Sequence, residues 1–217
     1  KALGHTPAGI EVHHPSTSRR TDITNNVIVG FFYQIYLPQN SSSARSVFAI
    51  NNTLVAPNAQ QQQHHTYCAF DQGKGSVWEN NIFYHPANSL FGTALYAPHV
   101  PAPNSPSNVA GYVKNNLFYV PNGALWGPNF SKIQAYNLEA DPEFLDLTPG
   151  QEDYRLKSTS PCIDAGATTH APAQGQAPVP FLVVDMDGNA RPQGRANDIG
   201  AFEYVASAPS PLPIPIP

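Results

Sequence analysis

The stretch Trp78-Glu79-Asn80-Asn81-Ile82-Phe83-Tyr84 decides the fold, because three others repeat its plan. They are Ile23-Thr24-Asn25-Asn26-Val27-Ile28-Val29, Ala49-Ile50-Asn51-Asn52-Thr53-Leu54-Val55 and Val113-Lys114-Asn115-Asn116-Leu117-Phe118-Tyr119. Each reads as a short apolar strand, a polar corner and a second strand. The second Asn recurs at Asn26, Asn52, Asn81 and Asn116, at intervals of 26, 29 and 35 residues. A period of that size marks a supersecondary unit that buries its apolar face only by stacking on its neighbours. Asn suits the corner twice over. It tolerates left-handed backbone geometry, and its amide can hydrogen-bond to the same amide one coil further on. The pattern predicts an all-β parallel solenoid.

Working outward from the corners, a third strand recurs between them: Gly9-Ile10-Glu11-Val12, Gln34-Ile35-Tyr36-Leu37, Tyr67-Cys68-Ala69-Phe70 and Ala94-Leu95-Tyr96-Ala97. Alternation puts Ile10, Ile35, Cys68 and Leu95 in one inward row and Val12, Leu37, Phe70 and Ala97 in another. Glu11, Tyr36, Ala69 and Tyr96 then point outward. Ile23, Ala49, Trp78 and Val113 line the core before the corner; Ile28, Leu54, Phe83 and Phe118 line it after. Thr24, Ile50, Glu79 and Lys114 form an outward row, and strand spacing sets Glu79 about 4.8 Å from Lys114. That pair reads as a surface ion pair of small worth.

Only 12% of the 217 residues are charged, while polar uncharged residues and proline are abundant. This balance fits a secreted or surface β protein. A formal net charge of −4 leaves no basic footprint for nucleic acid, and no apolar run reaches membrane-spanning length. Cys68 and Cys162 do not make a disulfide framework, and a zinc site at either is not expected. His13-His14 and His64-His65 are adjacent pairs, which point to opposite faces on a strand and so do not chelate as a unit.

From Asp141 the character changes. The landmarks are Asp141-Pro142-Glu143-Phe144, Ser160-Pro161-Cys162-Ile163-Asp164-Ala165-Gly166, Asp185-Met186-Asp187-Gly188-Asn189-Ala190-Arg191-Pro192 and Asp198-Ile199-Gly200-Ala201-Phe202-Glu203-Tyr204. Together they resemble the C-terminal segment of secreted right-handed parallel β-helix proteins, the pectate-lyase-like group with a choice-of-anchor Q type terminal segment. Cys162 departs from that pattern, which usually carries a small apolar residue there. The resemblance implies a right-handed parallel β-helix with a C-terminal cap: coils over 1–140, a capping segment over 141–205 and a Pro-rich tail or linker over 206–217. A solenoid needs such a cap, since an open last edge pairs with other chains. Arg191 among Asp185, Asp187, Asp198 and Glu203 suggests a buried fork satisfied by carboxylates. Asp185-x-Asp187-Gly188 also opens some Ca²⁺ loops, so Ca²⁺ stays open as a cofactor, although the remaining EF-hand ligands are missing.

Only four or five coils precede the terminal segment, and the first strand begins by Gly9. The expectation is that Lys1 is not the biological start. An N-terminal portion of the same precursor would stack on the first coil, or the edge would self-associate.

The resemblance also implies a polysaccharide-active protein, with a lyase on acidic polysaccharide as the leading expectation. Such a lyase needs a cation or Ca²⁺ to neutralise the uronate, and a base at its α-carbon. The residues that could supply chemistry are His13, Arg20, Tyr36 and Asp71, with some catalytic groups upstream of this chain. A carbohydrate-facing surface can be built from Glu11, Tyr36, Tyr67 and Tyr96, because a tyrosine offers an apolar face and a polar tip to a sugar. Outward tyrosines also simply suit strands. The alternative function is a non-catalytic adhesin or fibre component that binds glycan through the same face. Scarce Lys and Arg on the outward rows favour it, since an acidic polymer would call for positive charge there.

Overall fold

The computed structural model describes residues 8–12, 20–31, 33–37, 46–56, 66–71, 76–86, 92–96, 112–121, 124–126, 136–168 and 182–206. Of 20, 46, 66, 71, 92–96, 112 and 124–126 it describes the backbone alone. Among these residues the chain is all-β and contains no helix.

The chain visits three sheets in rotation. β1 (Ala8–Glu11), β2 (Arg20–Thr24) and β3 (Val27–Val29) open sheets I, II and III. β4 (Tyr33–Leu37), β5 (Ser46–Ile50) and β6 (Thr53–Val55) add a second strand to each in the same order. β7 (Thr66–Asp71), β8 (Val77–Glu79) and β9 (Ile82–Tyr84) add a third, and β10 (Gly92–Tyr96), β11 (Tyr112–Lys114) and β12 (Leu117–Tyr119) a fourth. β13 (Ala124–Trp126) and β14 (Leu138–Glu139) extend sheets I and III. Every described pairing in these sheets is parallel.

The corner between sheets II and III sets the register. The first Asn of each pair takes the left-handed region, with φ of 54° at Asn25 and Asn51, 56° at Asn80 and 51° at Asn115. That conformation is costly for most L-residues and mild for Asn. The second Asn builds a ladder: Asn26 Nδ2 donates to Asn52 Oδ1 at 3.0 Å, Asn52 to Asn81 at 2.9 Å and Asn81 to Asn116 at 3.0 Å. Each acceptor oxygen also receives the backbone N–H of the preceding Asn. Asn137 adds a fifth rung, accepting from Asn116 Nδ2 at 3.2 Å. There Tyr136, with φ of 75°, stands where the other corners have their first Asn.

This register stacks like on like inside. Ile23, Ala49, Trp78 and Val113 pair in one row, and Ile28, Leu54, Phe83 and Phe118 in another. All eight belong to one buried core. Phe83 and Phe118 stack at 4.7 Å with planes 9° apart. A core made of such rows follows from parallel strands, which place equivalent side chains one strand apart.

Sheet I departs from simple alternation. In β4 both Gln34 and Ile35 are buried, and in β7 both Cys68 and Ala69. Two consecutive buried residues break the alternation in both strands, so counting by twos from Cys68 lands one position off. Ala69, not Cys68, pairs with Ile35 and Leu95; Phe70, not Ala69, pairs with Tyr36 and Tyr96. The Glu79–Lys114 pair also differs from a surface pair. Its members lie 3.0 Å apart, but the Glu79 side chain is wholly buried.

The described residues of 136–168 and 182–206 pack on sheets II and III. β15 (Phe144–Asp146) and β16 (Asp153–Leu156) form an antiparallel pair. Phe144, Leu156, Cys162 and Ile199 pack on Val55, Ile82, Tyr84 and Leu117 of sheet III, forming a second core. Leu182 packs against Phe48, Ile50 and Val77 of sheet II. Between the two, the segment is tied to the first Asn of each corner. Asn115 Nδ2 donates to Ala165 O, Asn80 Nδ2 to Ala167 O, Asn51 Nδ2 to Asp198 O and Asn25 Nδ2 to Val184 O, at 2.8–3.3 Å. One asparagine of each pair thus holds successive corners together, and the other holds the C-terminal segment along them.

Candidate functional site: an aromatic face on sheet I

Sheets II and III have partners on their outer sides, and sheet I carries a cluster of aromatic rings. Tyr33 stacks on Tyr36 at 4.8 Å and on Tyr67 at 5.5 Å, while Tyr36 and Phe70 lie 5.5 Å apart. Phe70 meets Tyr33 and Tyr67 edge-on, at 5.4 and 5.3 Å. All four residues are half-buried. Alternation is broken at Gln34–Ile35 and Cys68–Ala69, and the rings of Tyr33 and Tyr67 share a cluster with those of Tyr36 and Phe70. Gln34 Nε2 donates to Phe31 O at 2.7 Å. Burial, followed by the neighbouring Tyr67 and Tyr36, pushes the Tyr33 hydroxyl above the ordinary phenol value. It therefore stays protonated and able to donate at neutral pH.

Register extends the row beyond the cluster. Glu11 pairs with Tyr36 on one side and Tyr96 with Phe70 on the other. Glu11, Tyr36, Phe70 and Tyr96 thus occupy equivalent positions on successive strands. Glu11 is exposed, and the Tyr96 side chain lies outside the described residues. So do His13 and the side chains of Arg20 and Asp71. Arg20 is placed by its backbone on β2 in sheet II and Asp71 on β7 in sheet I, opposite Leu37. Tyr36 and Tyr67 are outward as their sequence positions suggest, whereas Phe70, expected inside, belongs to the outer cluster. The paired irregularities at Gln34 and Cys68 are the signal that simple alternation lacks.

The terminal acidic and basic residues form a different arrangement. Arg191 is buried, and its Nη1 donates to the Glu203 carboxylate. Nη2 donates to Gly200 O at 2.9 Å and to Asn25 Oδ1 at 3.3 Å. Glu203 is the one carboxylate with a hydrogen bond to Arg191 among the described residues. Asp185 instead accepts the backbone N–H groups of Asp187, Asn189 and Glu203. Asp187 pairs with Arg155 Nε at 2.7 Å. Asp198 accepts the N–H groups of Asp164 and Tyr204. Burial is the main reason its carboxyl is pushed up to about 6, with Glu203 adding to it. Among the described residues no group of three or more His, Cys, Asp or Glu side chains could hold a metal ion. The terminal network therefore organises backbone and ties Arg191 to the first corner.

Cys68 and Cys162 are buried and free. Burial raises both thiols well above their ordinary value, which leaves them protonated and poor nucleophiles. No protein-family model, no curated protein and no solved structure matches the chain.

Proposed function

We propose that this chain is a secreted right-handed parallel β-helix protein that binds polysaccharide along sheet I. The observation that carries the reading is the cluster of Tyr33, Tyr36, Tyr67 and Phe70 beside the row from Glu11 to Tyr96. Half-buried tyrosines held by stacking on one another lose little freedom when a sugar ring packs on them. They present hydroxyl tips to its oxygens. A row running across successive parallel strands suits an extended polymer better than a single small molecule.

Charge selects the class of polymer. The described side chains on this face include the exposed carboxylate of Glu11 but no Lys or Arg. A uronate polymer laid along it would meet that carboxylate without a compensating cation among the described residues, which favours a neutral polysaccharide. The rotation of the chain among three parallel sheets and the asparagine ladder support the β-helix reading. The low charge content supports an extracellular setting.

The test is affinity electrophoresis through gels containing neutral or acidic polysaccharides, with the unsaturated-uronate absorbance followed in parallel. Retardation by a neutral polymer is expected, weakened at least about fivefold in Tyr36→Ala and in Phe70→Ala. Retention that survives both substitutions would place the binding surface elsewhere. Absorbance growing with time would make the chain a lyase instead.

A further inference from the structure

We propose that a second site, on sheet III and away from the aromatic face, binds a small organic cation of the alkylammonium class. A cleft of about 410 Å³ opens where the β15–β16 pair passes over sheet III. Val29, Val55 and Leu147 give it apolar walls, Tyr84 and Tyr154 give it aromatic ones, and Glu152 gives it a carboxylate. Among the described residues that line it, Glu152 is the one charged group, so the field inside is negative. Its position is set by the backbone: Glu152 Oε2 accepts the N–H of Gly150 at 2.9 Å.

The aromatic walls are fixed too. Phe144 meets Tyr84 edge-on at 5.3 Å and Tyr154 edge-on at 5.3 Å, and Tyr119 stacks on Tyr84 at 5.3 Å. Burial, with Asp141 as the next cause, pushes the Tyr84 hydroxyl up to about 12. The walls are therefore neutral, electron-rich rings at every physiological pH. A cation bound near aromatic faces gains from the ring quadrupole, and a nearby carboxylate adds to that gain. A sphere of methyl groups bearing one positive charge matches the apolar walls and the single carboxylate together. An anion meets only repulsion, and a neutral ligand of the same shape gains nothing from Glu152.

The experiment titrates the full chain with choline and, separately, with dimethylbutanol, its neutral carbon isostere, while following tyrosine-ring and leucine-methyl NMR signals. Choline is expected to give a saturable shift at Tyr84, Tyr154 and Leu147, and the isostere at least about fivefold weaker binding. Glu152→Gln, an exposed substitution that leaves the core untouched, is expected to remove most of that preference. Tyr36→Ala on sheet I should leave choline binding unchanged. Equal affinity for the two ligands would overturn the proposal, as would the absence of a saturable choline shift or a choline preference that survives Glu152→Gln.

Discussion

Asn81→Ala tests whether the amide ladder, rather than the apolar rows alone, holds the circuits in register. Asn81 is fully buried at the centre of the ladder. Its Oδ1 accepts from Asn52 N at 3.0 Å and from Asn52 Nδ2 at 2.9 Å. Its Nδ2 donates to Ala49 O at 2.8 Å and to Asn116 Oδ1 at 3.0 Å. Alanine removes all four bonds. Two orphans are softened, because Asn52 Nδ2 still reaches Ile23 O and Asn116 Oδ1 still accepts Asn81 N. The Asn52 N–H has no such reserve among the described residues. At about 1 kcal/mol net per bond for four bonds, plus about 1–3 for one stranded buried donor, the loss comes to roughly 5–7 kcal/mol.

That is a large share of the roughly 5–15 kcal/mol that holds a domain together. Asn26 supplies the control. It sits at the first rung, half-buried, and its side chain donates to Asn52 Oδ1 and Thr24 O. Asn26→Ala should therefore cost about 1–2 kcal/mol. Both variants are measured by urea unfolding, with the fluorescence of buried Trp78 as one signal. Equal losses at the two rungs, or a loss below about 1 kcal/mol for Asn81→Ala, would show that the apolar rows alone hold the register.

Three further outcomes follow from the same contacts. Asp198 holds its proton longer when folded, because its carboxyl is raised from 3.8 to about 6. Its contribution to stability is complete below about pH 4 and lost as pH rises through 6, on the order of 2–3 kcal/mol. Asp198→Asn should flatten the stability profile in that window, and a profile unchanged by the substitution would sink the assignment. Gly200 has φ of +106°, and a Cβ there would sit 2.6 Å from Ile82 Cδ1. Gly200→Ala should cost about 3–4 kcal/mol in urea unfolding, against about 1–2 from the positive φ alone if the terminal segment did not pack on sheet III. Tyr136 is 76% exposed in the left-handed region. Tyr136→Asn restores the residue found at the other corners and should stabilise by about 0.5–1 kcal/mol, and a loss would show that Tyr136 is held by packing.

The corners were legible in the sequence because an Asn in the left-handed region and an Asn in a ladder both leave a literal Asn-Asn. The fifth corner was not, since its first position is Tyr136 and only the backbone shows the equivalence. Rows flanking the corners read correctly for a related reason: three-residue strands beside a fixed corner have no room to slip. Sheet I did slip, by one residue at Cys68, because consecutive buried residues at Gln34–Ile35 and Cys68–Ala69 break the alternation on which the count depended. Phe70 went to the wrong side as a result, and the aromatic cluster was seen only in part. Glu79 was assigned to the surface for a different reason. No local pattern reports that a segment more than eighty residues later in the chain packs along the same corner. The terminal carboxylates show the same limit. Their composition suggested an arginine cage, whereas the geometry gives most of their oxygens to backbone N–H groups.

The most direct test of the central claim is co-sedimentation of the intact chain with a set of insoluble neutral and acidic polysaccharides, with released unsaturated uronate read in each supernatant. Retention on a neutral polymer is expected, with loss of that retention in a Tyr36→Ala, Phe70→Ala double variant and no uronate signal. Retention on acidic polymers alone, or retention that the double variant keeps in full, would contradict that claim.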